Sequence, residues 1–272
     1  MALSLWPVVA TAATTAAPIE PAPHRMAAAP ASAQLFACQA LAVSRGLHQS
    51  AQDAVWMGDS AAFQSLRARR EELTRLAAAS ASTAASSALA STWVRLDQQA
   101  ALVLAQAEAV QRTHEALRTV QRESIELLGA SETLMAVLMR ENAPVANIMV
   151  SSQMTMLTQR IALSSAEFFS REGVSPEAVF LLGKDLNSFD ALLAALRDGS
   201  TELRVTKAST PAVREQVAKL AAQYPPIRAA VQLPLKQLQG LVSARQAQAG
   251  IEAEGRRVEQ ALGTDCLGTR GV

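Results

Sequence analysis

The chain has 272 residues, of which 50% are apolar but only 4% aromatic, and its formal net charge at pH 7 is +1. A composition dominated by alanine and leucine, with few glycines and prolines, is typical of long helices packed through small side chains, and it argues against a β-rich or α/β domain. The near-zero net charge supplies no field that would attract nucleic acid, so nucleic-acid binding is excluded.

The first 32 residues are predicted to lie outside the folded part of the chain. Residues 1–18 are only mildly apolar, contain an A-x-A pattern at residues 10–12 and carry no Lys or Arg before the apolar part. Two interpretations stay open, a poor signal peptide and the remnant of a lost membrane anchor. Residues 13–32 are rich in Ala, Pro and Thr and are predicted to be disordered. The sequence contains no run of roughly 20 predominantly apolar residues, the length that a membrane span needs.

From about residue 33 the apolar residues recur at helical spacing. Residues 36–47 predict a first helix, and the sequence MGDS at residues 57–60 interrupts the pattern. Asp59 or Ser60 is placed to cap the helix that follows. The Ser/Ala-rich stretch 77–91 is compatible with either a loop or a closely packed helix.

The longest uninterrupted apolar pattern runs from Trp93 to about Arg140 without a proline. It predicts one helix of about 45 residues, about 70 Å long at 1.5 Å per residue. The sequence ENAP at residues 141–144 ends this helix. Methionines cluster around this break and are expected to fill the core there. They are Met135, Met139, Met149, Met154 and Met156.

A further helix is predicted from residue 145 to Phe169, and another begins at Ser175. In that second helix Ser175 is the expected N-cap, Pro176 occupies the first helical position, and Phe180 is expected in the buried stripe. The sequence GK at residues 183–184 resembles part of a phosphate-binding loop, but it lies within a helix and lacks the preceding glycines, so it predicts no nucleotide site.

The last part of the chain is predicted to contain two helices and an irregular tail. Thr210 caps the first helix, which the sequence YPP at residues 224–226 is expected to end. The final helix spans about residues 227–261, with a kink at Pro234. A Gly-rich tail follows it.

Titratable and nucleophilic side chains form no pattern that predicts chemistry. Cys38 and Cys266 are far apart in the sequence, and we expect two unpaired thiols. The histidines, His24, His48 and His114, match no metal-ligand spacing. No catalytic residue, metal or cofactor is predicted, and the chain is not expected to be an enzyme.

Two parts of the chain, residues 41–73 and residues 154–193, share one plan. Each is a helix, a short turn and a second helix with an early phenylalanine. Aligning Leu47 with Ile161 superimposes the two copies and indicates an internal duplication.

The second copy, SSQMTMLTQRIALSSAEFF followed by AVFLLGKDLNSFDALLAAL, resembles the periplasmic domain of PilJ-type receptors, the methyl-accepting chemotaxis transducers of type IV pili. Those receptors carry repeated MLSQR-(L/I/M)-A helices, and their sensory module is similar to the N-terminal domain of NarX-type nitrate/nitrite sensor kinases. The resemblance covers roughly residues 35–250. The first copy reads Ser44-Arg45-Gly46-Leu47 where Ser-Gln-Arg-Leu is expected, so its arginine is displaced by about 100° around the helix.

Composition, pattern and resemblance together predict an all-α, elongated antiparallel helical bundle with two related modules that share the long helix. Residues 1–32 form a disordered or signal-like segment, residues 33–140 the degenerate first module with the long helix, residues 141–262 the second module, and residues 263–272 an irregular tail. The resemblance implies an extracytoplasmic, periplasmic or membrane-associated sensory domain that acts as a homodimer. The transmembrane and signalling parts of such receptors are not found, so membrane attachment is expected only through an absent or lost anchor.

The resemblance implies that Arg160 binds a small oxyanion at a dimer interface, with Gln159 and Thr158 as its hydrogen-bonding neighbours. An anion between two guanidinium groups removes their repulsion and so favours one helix arrangement. The alternative for Arg160 is a side chain that packs its stem on Leu157 and keeps its charge in water. The resemblance implies that the stimulus of the domain is a small oxyanion or a pilus protein. The alternative function is a structural or interaction protein that binds a partner through its apolar helix faces.

Overall fold

The computed structural model describes residues 31–79, 84–170 and 173–267, which form an all-α helical bundle. The predicted fold class is therefore confirmed, whereas the division into two related modules stays a prediction. The helices of the described ranges are α1 (Ala31–Met57), α2 (Ser60–Ala79), α3 (Ala84–Ala105), α4 (Ala107–Arg140), α5 (Val145–Ala166), α6 (Pro176–Asp198) and α7 (Pro211–Leu267). Two antiparallel strands of two residues each, β1 (Phe169–Ser170) and β2 (Gly173–Val174), lie between α5 and α6.

Three helices begin with the side-chain caps that the sequence predicts. The side chains of Asp59, Ser175 and Thr210 each accept a hydrogen bond from the backbone amide three residues further on, at 2.7, 3.2 and 3.3 Å. Each cap satisfies an amide that has no partner within the first helical turn. The starts of α2, α6 and α7 are thus fixed by local chemistry.

The predicted long helix is interrupted at Gln106, between α3 and α4. The Gln106 amide donates to the Val103 carbonyl at 3.1 Å, which tightens the chain by one residue relative to an α-helical turn. The Gln106 side chain lies against Gly240 of α7, where a β-carbon would come within 2.6 Å of Oε1. The single helix expected from Trp93 to Arg140 is wrong at this one position.

Helix α7 continues through the YPP sequence that was expected to end it. Pro225, Pro226 and Pro234 all lie inside this 57-residue helix, although an interior proline costs about 3 kcal/mol or more. Packing offsets that cost. The buried Tyr224 donates its hydroxyl to the Leu186 carbonyl at 2.8 Å and stacks on a phenylalanine of α6, and burial raises its pKa above the usual tyrosine range.

Helix α7 is the common support of the bundle, because α1, α3, α4 and α6 all pack against it. Its N-terminal part contacts α6 through Tyr224, and its C-terminal part contacts α1 and α3, where Arg45 pairs with Glu259 and Arg95 with Glu254. The remaining large contacts join α1 to α2, α2 to α3, α4 to α5 and α5 to α6. One continuous hydrophobic core runs through all of these contacts.

Cys38 and Cys266 form a disulfide, so the expectation of two unpaired thiols is wrong. Their Cα atoms are 5.0 Å apart although 228 positions separate them in the sequence. The antiparallel packing of the start of α1 against the end of α7 brings them together, a contact that sequence spacing does not encode. Within the described ranges, no helix combines the length and the apolarity that crossing a membrane requires.

Several apolar residues that were expected in the core are exposed. Phe180 is 66% exposed, because it lies about 200° around α6 from the buried Leu182. Met139, Met149 and Met156 are also exposed, and of the five clustered methionines only Met154 is fully buried. The expected methionine core is therefore wrong, and most of the cluster faces outward.

Candidate functional site

The three residues predicted to bind a ligand lie in the middle of α5 and point in different directions. Thr158 is buried, and its hydroxyl donates to the Met154 carbonyl one turn earlier at 3.0 Å. Gln159 and Arg160 are exposed. Because successive helical residues are about 100° apart, the structure brings Gln159 and Arg160 to the surface and directs Thr158 into the core.

Arg160 reaches across to α6 and forms an ion pair with Asp185. The distance from Arg160 Nη2 to Asp185 Oδ1 is 2.9 Å. The arginine side chain is 46% exposed, whereas the aspartate is 1% exposed. The guanidinium thus lies at the boundary between solvent and core, with an anionic partner already in contact. The structure thus adds a partner that the sequence did not predict, and the anion-binding role of Arg160 stays a prediction.

The Asp185 carboxylate is poorly compensated. Neither of its oxygens receives a hydrogen bond from any described residue, since the Arg160 contact is not aligned as one. Burial raises the pKa of Asp185, and the positive charges of Arg160 and, to a smaller extent, Lys184 act in the opposite direction. A buried carboxylate without hydrogen-bond donors is costly, and such groups concentrate at functional sites.

Asp185 was not predicted as a site residue, although its position in the sequence of α6 carries a signal. Leu182, Leu186 and Phe189 mark the buried stripe of α6, and Asp185 falls on that stripe one position before Leu186. An acidic residue on an apolar helical face needs a partner. The sequence alone does not identify Arg160 as that partner, because the pairing depends on how α5 and α6 are aligned.

The outer face of α5 carries an exposed apolar stripe, here called the α5 stripe. It consists of Val145, Met149, Met156 and Leu163, whose exposed fractions are 71, 66, 57 and 58%. Spacings of four and seven residues place these side chains on one helical face. Arg160 and Gln159 lie beside the C-terminal half of this stripe, between Met156 and Leu163 in the sequence.

A groove of about 630 Å³ runs along the N-terminal part of the α5 stripe. Met149 and Met156 form one wall, and Leu203 and Arg204 in the loop before α7 form the other. Asn147 fixes this loop, because its side chain donates to the Thr206 carbonyl at 2.7 Å and accepts from the Thr206 amide at 3.1 Å. The apolar surface therefore has a defined shape.

The first copy of the repeat does not reproduce the ion pair. Arg45, its displaced arginine, is 69% exposed and pairs with Glu259 of α7 at 2.8 Å. Gly46, which aligns with Arg160, lies against the Arg69 side chain of α2. The two copies thus place their arginines against different neighbours, one on the surface and one at the edge of the core.

Two adjoining polar cavities, of about 570 and 400 Å³, lie between α1 and α7. Most of their charged side chains are already engaged: Arg45 pairs with Glu259 and Arg256 with Glu252, whereas Asp53 accepts a hydrogen bond from Gln49 and Arg245 donates one to Gln248. This pairing leaves the cavities without a strong charge preference for a ligand. Among the residues that the structure describes, no group of three His, Cys, Asp or Glu side chains is arranged to hold a metal ion.

The described residues define an all-α helical bundle in which the half-exposed Arg160 pairs with the buried Asp185. No family model matches the chain, and no curated protein matches it either. The PilJ- and NarX-type resemblance therefore stays a prediction that depends on the motif residues of α5.

Proposed function

We propose that the chain is the extracytoplasmic sensory domain of a type IV pilus chemotaxis-type transducer, and that it reports a stimulus by helix rearrangement in a homodimer. One observation carries the proposal. Helix α5 combines the motif arginine, half-exposed at Arg160, with an exposed apolar stripe along the same helix. A sensor needs these two elements together, a group that binds and a surface through which helices can shift.

The disulfide supports an extracytoplasmic location. Disulfides persist in oxidising compartments such as the bacterial periplasm and are rare in reducing ones. Cys38 and Cys266 join the start of the first described helix to the end of the last. A bundle closed in this way keeps α1 and α7 together while other helices move.

The α5 stripe supports dimerisation. Burying one large apolar side chain contributes about 1.5–3 kcal/mol, so the four residues of the stripe in each protomer supply a substantial driving force. In a parallel pair of α5 helices, each stripe residue faces its own symmetry mate. The two Arg160 side chains then lie on either side of the interface, where each can contact an oxyanion, with Gln159 as the neighbouring hydrogen-bonding group.

The same stripe also favours the alternative function, a non-sensory interaction protein that binds a protein partner through α5. The two functions differ in what happens at Arg160. A sensor of small anions requires its guanidinium, whereas a docking surface requires only the apolar side chains. Separate tests of the stripe and of the arginine therefore distinguish them.

Sedimentation analysis tests the stripe. We expect a dimer for the wild type, a monomer for Met156→Glu and a dimer for Val94→Glu, a matched control because Val94 is 56% exposed on α3. A wild type that stays monomeric at its highest soluble concentration would refute the dimer model.

Thermal unfolding with nitrate, nitrite and related oxyanions tests the arginine. A ligand that binds the native state adds about 2.7 kcal/mol to the free energy of unfolding at 100 times its Kd. We expect this stabilisation in the wild type and its loss in Arg160→Ala. No shift with any anion, or an equal shift in the variant, would remove the anion-sensing function and leave the partner-binding alternative.

A further inference from the structure

We infer that Asp185 is an internal counter-ion that competes with the external anion for Arg160, so that anion binding breaks the ion pair between α5 and α6 and takes up one proton. This inference rests on the proposed anion site at Arg160 and adds its regulation. It follows from the geometry of the pair, in which a buried carboxylate occupies the guanidinium that an external anion would need.

The position of Asp185 also indicates the class of ligand. A carboxylate is a small, planar, singly charged oxyanion, and it contacts Arg160 through one oxygen at 2.9 Å. Guanidinium groups present five N–H donors in a plane, and the contact with Asp185 aligns none of them as a hydrogen bond. An external anion of the same class, such as nitrate or formate, can take the place of the Asp185 carboxylate on Arg160.

Displacement of Asp185 from Arg160 leaves the Asp185 carboxylate without a counter-charge or a hydrogen-bond donor. The charged groups associated with it are Arg160 on α5 and Lys184 on α6. From α7, Tyr224 uses its hydroxyl on the Leu186 carbonyl, and Arg228 pairs with Asp190 at 2.5 Å. None of these described groups donates a hydrogen bond to Asp185, which is 1% exposed.

A proton is the natural replacement for the lost arginine. An uncompensated buried carboxylate is strongly unfavourable and becomes neutral instead of remaining charged. The step balances as follows: the Arg160–Asp185 ion pair, one anion and one proton give an Arg160–anion pair and a neutral Asp185 carboxyl group. Burial already raises the pKa of Asp185, and removal of Arg160 raises it further.

Linkage fixes the size of the effect. If one proton enters with each anion, the dissociation constant rises by up to tenfold for each pH unit, over the pH range in which Asp185 is ionised in the free protein and neutral in the complex. Raising the pH therefore weakens anion binding. The anion and the proton together break the ion pair that joins α5 to α6.

Calorimetric titration with nitrate tests this coupling, because nitrate itself does not titrate between about pH 5 and pH 8. Titrations at constant ionic strength, in two buffers of different ionisation enthalpy, give both the affinity and the number of protons taken up. For the wild type we expect the tenfold weakening per pH unit and uptake approaching one proton per nitrate. This measurement needs no variant to fold.

Two variants locate the proton. Asp185→Asn has no competing charge, so we expect it to bind nitrate more tightly than the wild type, with no proton uptake and little dependence on pH. Asp190→Asn is the matched control, since Asp190 lies on the same helix and pairs with Arg228. We expect it to keep the wild-type affinity and the wild-type pH dependence.

The outcomes separate the inference from the proposed function. If nitrate binds through Arg160 but without proton uptake, and Asp185→Asn binds no more tightly, the competition by Asp185 is wrong and the anion site stands. If neither nitrate nor formate binds the wild type or Asp185→Asn at any pH, both are wrong. If Arg160→Ala binds nitrate as well as the wild type, the site lies elsewhere and both are again overturned.

Discussion

Replacing Asp185 with asparagine is expected to raise the free energy of unfolding at neutral pH. The substitution keeps the shape of the side chain and removes a negative charge that is 1% exposed and receives no hydrogen bond from a described residue. The partner left behind, Arg160, is 46% exposed and can turn into water. Little is therefore lost on the arginine side, and the desolvation of the carboxylate is relieved.

The opposite substitution is expected to have the opposite sign. Arg160→Ala leaves Asp185 buried without its counter-charge. Removal of one partner from a fully buried pair typically costs about 3–5 kcal/mol, but solvent screens Arg160, which is 46% exposed, so we expect a loss of about 1–3 kcal/mol. Replacement of buried pairs by neutral groups, in contrast, ranges from neutral to about 1–4 kcal/mol stabilising. For Asp185→Asn we expect a gain of about 1–2 kcal/mol, because the asparagine amide is itself buried with few partners.

The effect of pH follows from the raised pKa of Asp185. A carboxyl group whose pKa is higher in the folded protein than its ordinary value of 3.8 binds more protons when folded, so stability falls as the pH rises above that value. Asparagine does not titrate. The advantage of Asp185→Asn over the wild type should therefore be small at about pH 4 and full at about pH 7.

Chemical denaturation of the wild type and the two variants at both pH values measures these differences. In thermal scans, 1 kcal/mol corresponds to about 2–4 °C in Tm for a chain of this size. An Asp185→Asn variant that is less stable than the wild type at neutral pH, or an Arg160→Ala variant of unchanged stability, would refute the description of the pair as a poorly compensated buried charge.

Three further predictions concern other parts of the bundle. Cys38→Ser should lower the free energy of unfolding by about 2–5 kcal/mol under oxidising conditions, with no further loss on adding reductant, because the disulfide closes a loop of more than 200 residues. Gly58→Ala should destabilise the protein by about 1–3 kcal/mol, because Gly58 has φ +64° and a β-carbon there would meet the His114 ring. Gly129→Ala should stabilise it by about 0.5–1 kcal/mol, because a β-carbon at Gly129 meets nothing within 4 Å. Denaturant titrations of both variants check this contrast. Burial, the largest influence, lowers the pKa of His114 below its ordinary value of 6.5, so stability should fall as the pH drops below that value, and a His114→Gln variant should lose this part of the pH dependence in the same titrations.

The features that sequence analysis predicted correctly are those fixed by a few neighbouring residues. Asp59, Ser175 and Thr210 cap their helices through contacts only three residues long. The break after Arg140 likewise depends on the proline that follows it. Such features require no knowledge of how the helices pack.

The features that sequence analysis missed depend on distant contacts. Helix α7 continues past Pro225 because Tyr224 is held by α6, and local signals alone favoured an end there. The Cys38–Cys266 disulfide requires the two ends of the chain to meet. The candidate site shows the same limit, since the motif identified Arg160 but the pairing with Asp185 appears only once α5 lies on α6.

A calorimetric titration of nitrate into the wild type, Arg160→Ala and Arg45→Ala tests most directly whether Arg160 is an anion site. Arg45 is the matched control, because it is the displaced arginine of the first repeat and pairs with Glu259 on the surface. We predict that the wild type and Arg45→Ala bind nitrate alike and that Arg160→Ala does not bind it. Equal binding by all three proteins, or binding by none, would contradict the assignment of α5 as the sensing helix.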